Sequence, residues 1–138
     1  MSKVLIVDDE PDVLLLLRVN LEAAGYETVL AADGETALAR IADSAPDLVL
    51  LDIMMPVMDG WGVLRVLADR TTAPLVVVVS AKSSDRDVVR ALTSGALEYI
   101  TKPFDPDDLI AVVARVLNTS LEELKQRRLE TIERCGGQ

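Results

Sequence analysis

Val4-Leu5-Ile6-Val7, Leu48-Val49-Leu50-Leu51 and Leu75-Val76-Val77-Val78-Val79 are continuous aliphatic runs of strand length without polar alternation. A strand with one wet face alternates apolar and polar residues. An unbroken run belongs to a strand covered on both faces, as in a parallel sheet between layers of helices. Two weaker candidates, Glu27 to Ala31 and Leu97 to Thr101, bring the set to five. The strong runs stop abruptly on polar residues: the first on Asp8-Asp9, the third on Asp52 and the fourth on Ser80, while Lys102-Pro103 follows the fifth.

Helical stretches with recognisable ends separate the strands. Pro11 suits a first helical turn and Gly25 a stop; Asp33, Asp59 and Ser84 are N-terminal caps, Gly95 is a second stop, and Asp105-Pro106 opens a fifth helix. Leu109, Val112, Val113 and Val116 recur in that helix at helical spacing. Five βα units thus fill residues 3–117, and short right-handed crossovers make them a doubly wound α/β domain with a five-stranded parallel sheet. Ligands of such sheets bind beyond the carboxyl ends of the strands, where the polar residues lie.

At 138 residues the chain has room for one domain and an appendage. With one Trp, one Phe and two Tyr, its core must be built from Val, Leu, Ile and Ala. The net charge is −9; residues 1–117 carry 19 acids and 10 bases, residues 118–138 four of each. Phosphate backbones require clustered Lys and Arg, so the expectation is no direct nucleic-acid contact. Cys135, beside Gly136 and Gly137, is the only cysteine, which excludes an internal disulfide and fits a reducing compartment. Four apolar residues before Asp8-Asp9-Glu10 are too few for a signal-peptide core, and no run approaches a membrane span. A cytoplasmic protein without membrane contact is expected.

Asp8, Asp9 and Asp52 should converge on one crevice, where carboxylates resist ionising together unless a cation or a nearby Lys compensates. A hard divalent ion such as Mg2+ takes oxygen ligands and is held by one or two carboxylates plus a phosphate oxygen. Asp8 to Glu10 alone could merely cap a helix, since acids are common in first turns. Asp52 is harder to dismiss, because it ends a central aliphatic strand where an uncompensated carboxylate is costly. A carboxylate beside a metal, Lys102 and the Ser80 hydroxyl has what in-line phosphoryl transfer requires: a nucleophile, a metal and donors for the charged oxygens.

The stretches Val4 to Glu10 and Leu51-Asp52-Ile53-Met54-Met55-Pro56-Val57-Met58-Asp59-Gly60, with Ser80-Ala81 and Gly95-Ala96 through Tyr99 to Lys102-Pro103-Phe104, together resemble response-regulator receiver domains over residues 3–117. The resemblance implies a flavodoxin-like strand order 2-1-3-4-5, with a receiver domain over 1–117 and a helical extension over 118–138. It implies that Asp52 accepts a phosphoryl group from a phosphohistidine on a histidine kinase or histidine phosphotransfer protein, in a phosphorelay whose transfer the receiver itself catalyses. The chain is then no conventional enzyme, and its activity is confined to self-catalysed phosphorylation and dephosphorylation. Asp9, Asp52 and the Met54 backbone carbonyl would bind Mg2+ directly and Asp8 through a water, with Lys102 and Ser80 holding phosphoryl oxygens.

By the same resemblance Ser80 and Tyr99 form a switch pair that alters the surface of the fourth helix, fifth strand and fifth helix, where a downstream protein target binds. Pro103 is expected to be cis, Gly60 to sit where a side chain would restrict the backbone, and Ala81 to leave the acceptor open. Met54 and Lys82 would flank the path of a hydrolytic water and slow phosphoryl loss. Receivers that dimerise through that surface often carry Arg where this chain has Val112, beside Glu98, so the salt-bridged form of that dimer is not expected.

Beyond 117, Ser120 and Glu123 have the form of a capping box for a short further helix. Its Leu121, Leu124, Leu129 and Ile132 fall near one face, to pack on the chain's own domain or to serve a homodimer or partner helix. Two other function classes compete. A haloacid-dehalogenase-like phosphohydrolase also uses Asp, magnesium, Ser or Thr, and Lys, but places its nucleophile first in an Asp-x-Asp motif, whereas here the acidic pair comes first and position 54 is Met. A phosphorylation-independent interaction module would not need Asp9, Asp52, Ser80 and Lys102 intact. The chain could also be part of a longer regulator.

Overall fold

A computed structural model describes residues 1–136; residues 137 and 138, which close the C-terminal extension and include Gly137, lie outside the described part. The elements run β1 (Lys3–Val7), α1 (Pro11–Ala23), β2 (Glu27–Ala31), α2 (Gly34–Ser44), β3 (Leu48–Leu51), α3 (Gly60–Ala68), β4 (Leu75–Ser80), α4 (Asp85–Thr93), β5 (Glu98–Thr101), α5 (Pro106–Leu117) and α6 (Leu121–Gly136). All neighbouring strands pair in parallel, in the order β2-β1-β3-β4-β5, the doubly wound sheet that the βα alternation predicts.

The aliphatic runs are unbroken because each strand serves two cores. Leu5, Val7, Val49, Leu51, Val76 and Val78 pack beneath α2, α3 and α4. Val4, Ile6, Leu48, Leu50, Val77 and Val79 pack beneath α1 and α5. Burying each such side chain is worth about 1.5–3 kcal/mol, so the aliphatic strands dominate the stabilisation of the sheet.

Helix ends follow the signals in the sequence. The side chains of Asp33, Asp59, Ser84 and Asp105 accept backbone N–H groups of α2, α3, α4 and α5, each cap contributing about 1 kcal/mol. Gly25 (φ 97°) and Gly95 (φ 120°) follow α1 and α4 in a conformation that L side chains rarely adopt. Gly60 is the first residue of α3 and is required for space: a Cβ there would lie 2.5 Å from the Asp52 carbonyl oxygen and 2.6 Å from Ile53 Cα.

The Ser120 hydroxyl accepts the Glu123 N–H at 3.2 Å, capping α6. The expected single stripe divides, however. Leu124 is buried and Ile132 packs on the core beneath α4, whereas Leu121 and Leu129 are 50% and 54% exposed. The reason is the path of the helix: Leu124 belongs to the α1/α5 core and Ile132 packs on the other one, so α6 crosses the loop between α4 and β5, where Arg128 meets the Gly95 and Ala96 carbonyls, and runs on beside α4.

Candidate functional site

The register places Val7 opposite Leu51, which levels the carboxyl ends of β1 and β3 at the switch point of the sheet, and Leu51 opposite Val78, so that β4 runs two residues further to Ser80. The ladder continues one residue further: the Asp8 N–H donates to the Ala31 carbonyl, the Asp52 N–H to the Val7 carbonyl and the Lys102 N–H to the Ser80 carbonyl. The backbones of all three charged residues are thereby fixed by the sheet.

Asp8 (2% exposed), Asp52 (4%) and Ser80 (0%) form the buried floor. Lys102 Nζ lies 2.7 Å from Asp8 Oδ2 and 3.1 Å from Asp52 Oδ2, and reaches Glu10 Oε1 at 3.5 Å. The Lys102–Pro103 peptide is cis. The Met54 N–H donates to Asp52 Oδ1 at 3.1 Å, the Glu10 N–H to Asp8 Oδ1 at 2.9 Å, and the Lys82 N–H to Ser80 Oγ at 3.2 Å. The acidic triplet does not act as a helix cap, since Glu10 at the N-cap position makes no side-chain cap bond.

Burial pushes the Asp52 carboxyl above its ordinary range, against the opposing pull of the Met54 N–H and Lys102. Burial alone would lower the Lys102 ammonium, but its bonds to Asp8 and Asp52 outweigh that and hold it well above its usual range. Lys102 is therefore charged throughout the neutral range.

Asp9 is exposed beside this floor, and its carboxylate lies within 4.8 Å of those of Asp8 and Glu10. Asp8, Asp9, Glu10 and Asp52 offer only oxygen atoms, and one ammonium balances these four carboxylates. An all-oxygen set with surplus negative charge suits a hard divalent cation. Asp9, Met54 and Lys82 line one groove with Trp61.

Tyr99 on β5 is half-buried, and burial raises its phenol while the neighbouring Ser80 hydroxyl opposes that rise. Its hydroxyl donates to the Lys82 carbonyl. Sequence reasoning missed this link, because a backbone oxygen leaves no residue-type signal. Glu98 meets Arg115 Nη1 at 2.9 Å within the chain.

The family model described as "Response regulator receiver domain" matches residues 4–114. The chain belongs to that family. This receiver is 43% identical over 133 residues to the transcriptional regulatory protein KdpE of Mycobacterium tuberculosis, a match covering 95% of the chain and 58% of the relative. It is 40% identical over 122 residues to the DNA-binding response regulator MtrA of Mycolicibacterium smegmatis, covering 88% and 53%. Among solved structures, a CheY-like receiver domain protein from Methanospirillum hungatei superposes with a TM-score of 0.80 at 31% identity, over 92% of this chain and 98% of that one.

Membership in this family of two-component response regulators, which typically bind magnesium and carry phosphoryl groups, sets aside the phosphohydrolase alternative. The expectation of no direct nucleic acid does not stand, since close relatives are by name transcriptional and DNA-binding regulators. The charge argument failed because it counted only the acids and bases of this receiver, which spans little more than half the length of those relatives. Among the described residues no helix is long and apolar enough to cross a membrane.

Proposed function

We propose that this receiver is a phosphorylation-operated switch in which Asp52 takes a phosphoryl group from the phosphohistidine of a histidine kinase or histidine phosphotransfer protein. The observation that carries this reading is the Lys102 ammonium bound at once to Asp8 and Asp52 on a buried floor, beside the Ser80 hydroxyl. The Asp52 carboxylate is the nucleophile; its new bond to phosphorus forms as the phosphorus–nitrogen bond of the donor breaks, leaving the imidazole with the electron pair. Lys102 and Ser80 donate to oxygens of the transferred group. No general base is needed, since Asp52 attacks as an anion.

Asp9, Asp52 and the Met54 carbonyl would hold Mg2+ directly, with Asp8 acting through a water. The ion would supply charge neutralisation of the phosphoryl oxygens. Ser80 and Tyr99 transmit the change, because a phosphoryl oxygen competes for the Ser80 hydroxyl that now accepts the Lys82 N–H, and Tyr99 is bonded to the carbonyl of the same Lys82. Residues 1–117 form the switch and 118–138 its extension. The setting is cytoplasmic, and the output we assign is control of transcription, as in the relatives named for it, through a DNA-binding output domain.

Intact-protein mass after incubation with acetyl phosphate, with and without magnesium, tests this reading. One phosphoryl adduct is expected on the native chain with magnesium and none on Asp52→Asn. An unmodified mass with every donor would overturn it and leave a phosphorylation-independent binding module.

A further inference from the structure

Glycines crowd the loop of residues 53–59 that joins Asp52 to α3, and two of them grip one side chain. A Cβ on Gly34, the first residue of α2, would collide with the Met58 carbonyl oxygen and come 2.9 Å from both Cβ and Cγ of Met58. A Cβ on Gly62, in α3, would come 2.8 Å from Met58 Cγ. Met58 thus sits in a slot between the starts of two helices that a larger residue at either position would close, and its side chain packs against the core beneath α2 and α3. The Gly34 N–H donates to the Met58 carbonyl at 3.0 Å, and the Gly60 N–H closes the loop on the Ile53 carbonyl at 2.8 Å.

The residue before Met58 is strained by this seating. Val57 has φ 68°, a left-handed conformation that a β-branched side chain disfavours. It is 77% exposed, so packing of its own side chain does not hold it there; the seating of Met58 does. At its other end the loop reaches the acceptor. The Met54 N–H donates to Asp52 Oδ1 at 3.1 Å, and Met54, Met55 and Pro56 line one groove with Asp9.

We propose that Met58, held between Gly34 and Gly62, is a positioning residue that fixes the loop bearing Met54 against the Asp52 carboxylate and so pre-organises the magnesium site. The inference rests on Asp9, Asp52 and the Met54 carbonyl being the ligands of that ion. A loop already held in one place gives up little freedom when an ion binds, whereas a released loop must first be ordered, which weakens binding. Met58 acts through the loop and supplies no ligand atom.

The full chain is titrated with Mn2+, an oxygen-seeking substitute for Mg2+ whose free fraction is counted by paramagnetic resonance, and with Mg2+ in competition. Met58→Ala and Gly34→Ala should each weaken binding about tenfold, the lower end of the range for residues that support metal ligands. Their phosphorylation by acetyl phosphate should be slow at limiting magnesium and approach the native rate at saturating magnesium. Val116→Ala, in the core beneath α1 and α5, lowers stability away from the loop and should bind as the native chain does, which separates positioning from loss of fold. Val57→Gly should denature at a higher temperature, because glycine adopts the left-handed conformation without strain, and should keep native affinity, because Met58 still holds the loop. Native affinity in both Met58→Ala and Gly34→Ala, or an equal loss in Val116→Ala or Val57→Gly, overturns this inference and leaves the metal site standing. Absence of ion binding by the native chain overturns the metal reading, and this inference with it.

Discussion

Lys102 Nζ lies 2.7 Å from Asp8 Oδ2, a contact between residues 94 positions apart that joins the loop after β5 to the end of β1. Both side chains are largely withdrawn from water, at 14% and 3% exposure. Removing one partner of a buried pair leaves the other charge uncompensated, which costs about 3–5 kcal/mol. Lys102→Met should lose about 3 kcal/mol of stability at neutral pH in magnesium-free urea titrations and regain part of it when magnesium is added. A loss under about 0.5 kcal/mol would show that the cluster is solvated in solution.

Asp52 has the opposite sign from most salt-bridged carboxylates. Its pKa is raised on folding, first by burial, so the folded chain holds that proton more firmly than the unfolded chain. Its contribution is most favourable below the ordinary carboxylate range and is lost as pH rises through the raised value. In metal-free buffer, Asp52→Asn should match the native chain at acid pH and be the more stable of the two at neutral pH. Thermal melts across that range check the sign; a variant less stable at neutral pH than the native chain would refute it.

How much of this was legible beforehand differs by element. The aliphatic runs showed β1, β3 and β4 because strands covered on both faces leave unbroken patterns, and the caps Asp33, Asp59, Ser84 and Asp105 were readable because capping is local chemistry. The convergence of Asp8, Asp52, Ser80 and Lys102 followed from topology alone. That a Lys could compensate the clustered carboxylates was readable, but its direct bonds to both Asp8 and Asp52, the Tyr99–Lys82 link and the path of α6 were not. Each depends on tertiary placement or on a backbone atom. The nucleic-acid expectation failed because charge was counted on the receiver alone.

Gly60 illustrates a constraint of space. Gly60→Ala would force a Cβ against the backbone of Asp52 and Ile53, neither of which can rotate away. A loss of about 2 kcal/mol is expected by chemical denaturation, together with slower phosphorylation because the acceptor strand must shift. Native stability in this variant would mean that the loop before α3 relaxes freely.

Met54 is 54% exposed and Lys82 is exposed, and both line the groove with Asp9. An apolar side chain and a cation there would hinder the approach and activation of a hydrolytic water. Met54→Asn combined with Lys82→Glu should speed phosphoryl loss by about tenfold, equivalent to ~1.4 kcal/mol of barrier. An unchanged decay of the adduct, followed by mass after donor removal, would assign its lifetime elsewhere.

The central claim is that the phosphoryl group resides on Asp52, and the most direct test is to locate it. Borohydride reduces an acyl phosphate at its own carboxyl carbon, so peptide mass mapping after reduction of the phosphorylated chain identifies the acceptor. The account predicts the reduced residue at position 52 and nowhere else, with no reduction when magnesium is withheld. Reduction at Asp8, Asp9 or any other carboxylate, with Asp52 intact, would contradict it.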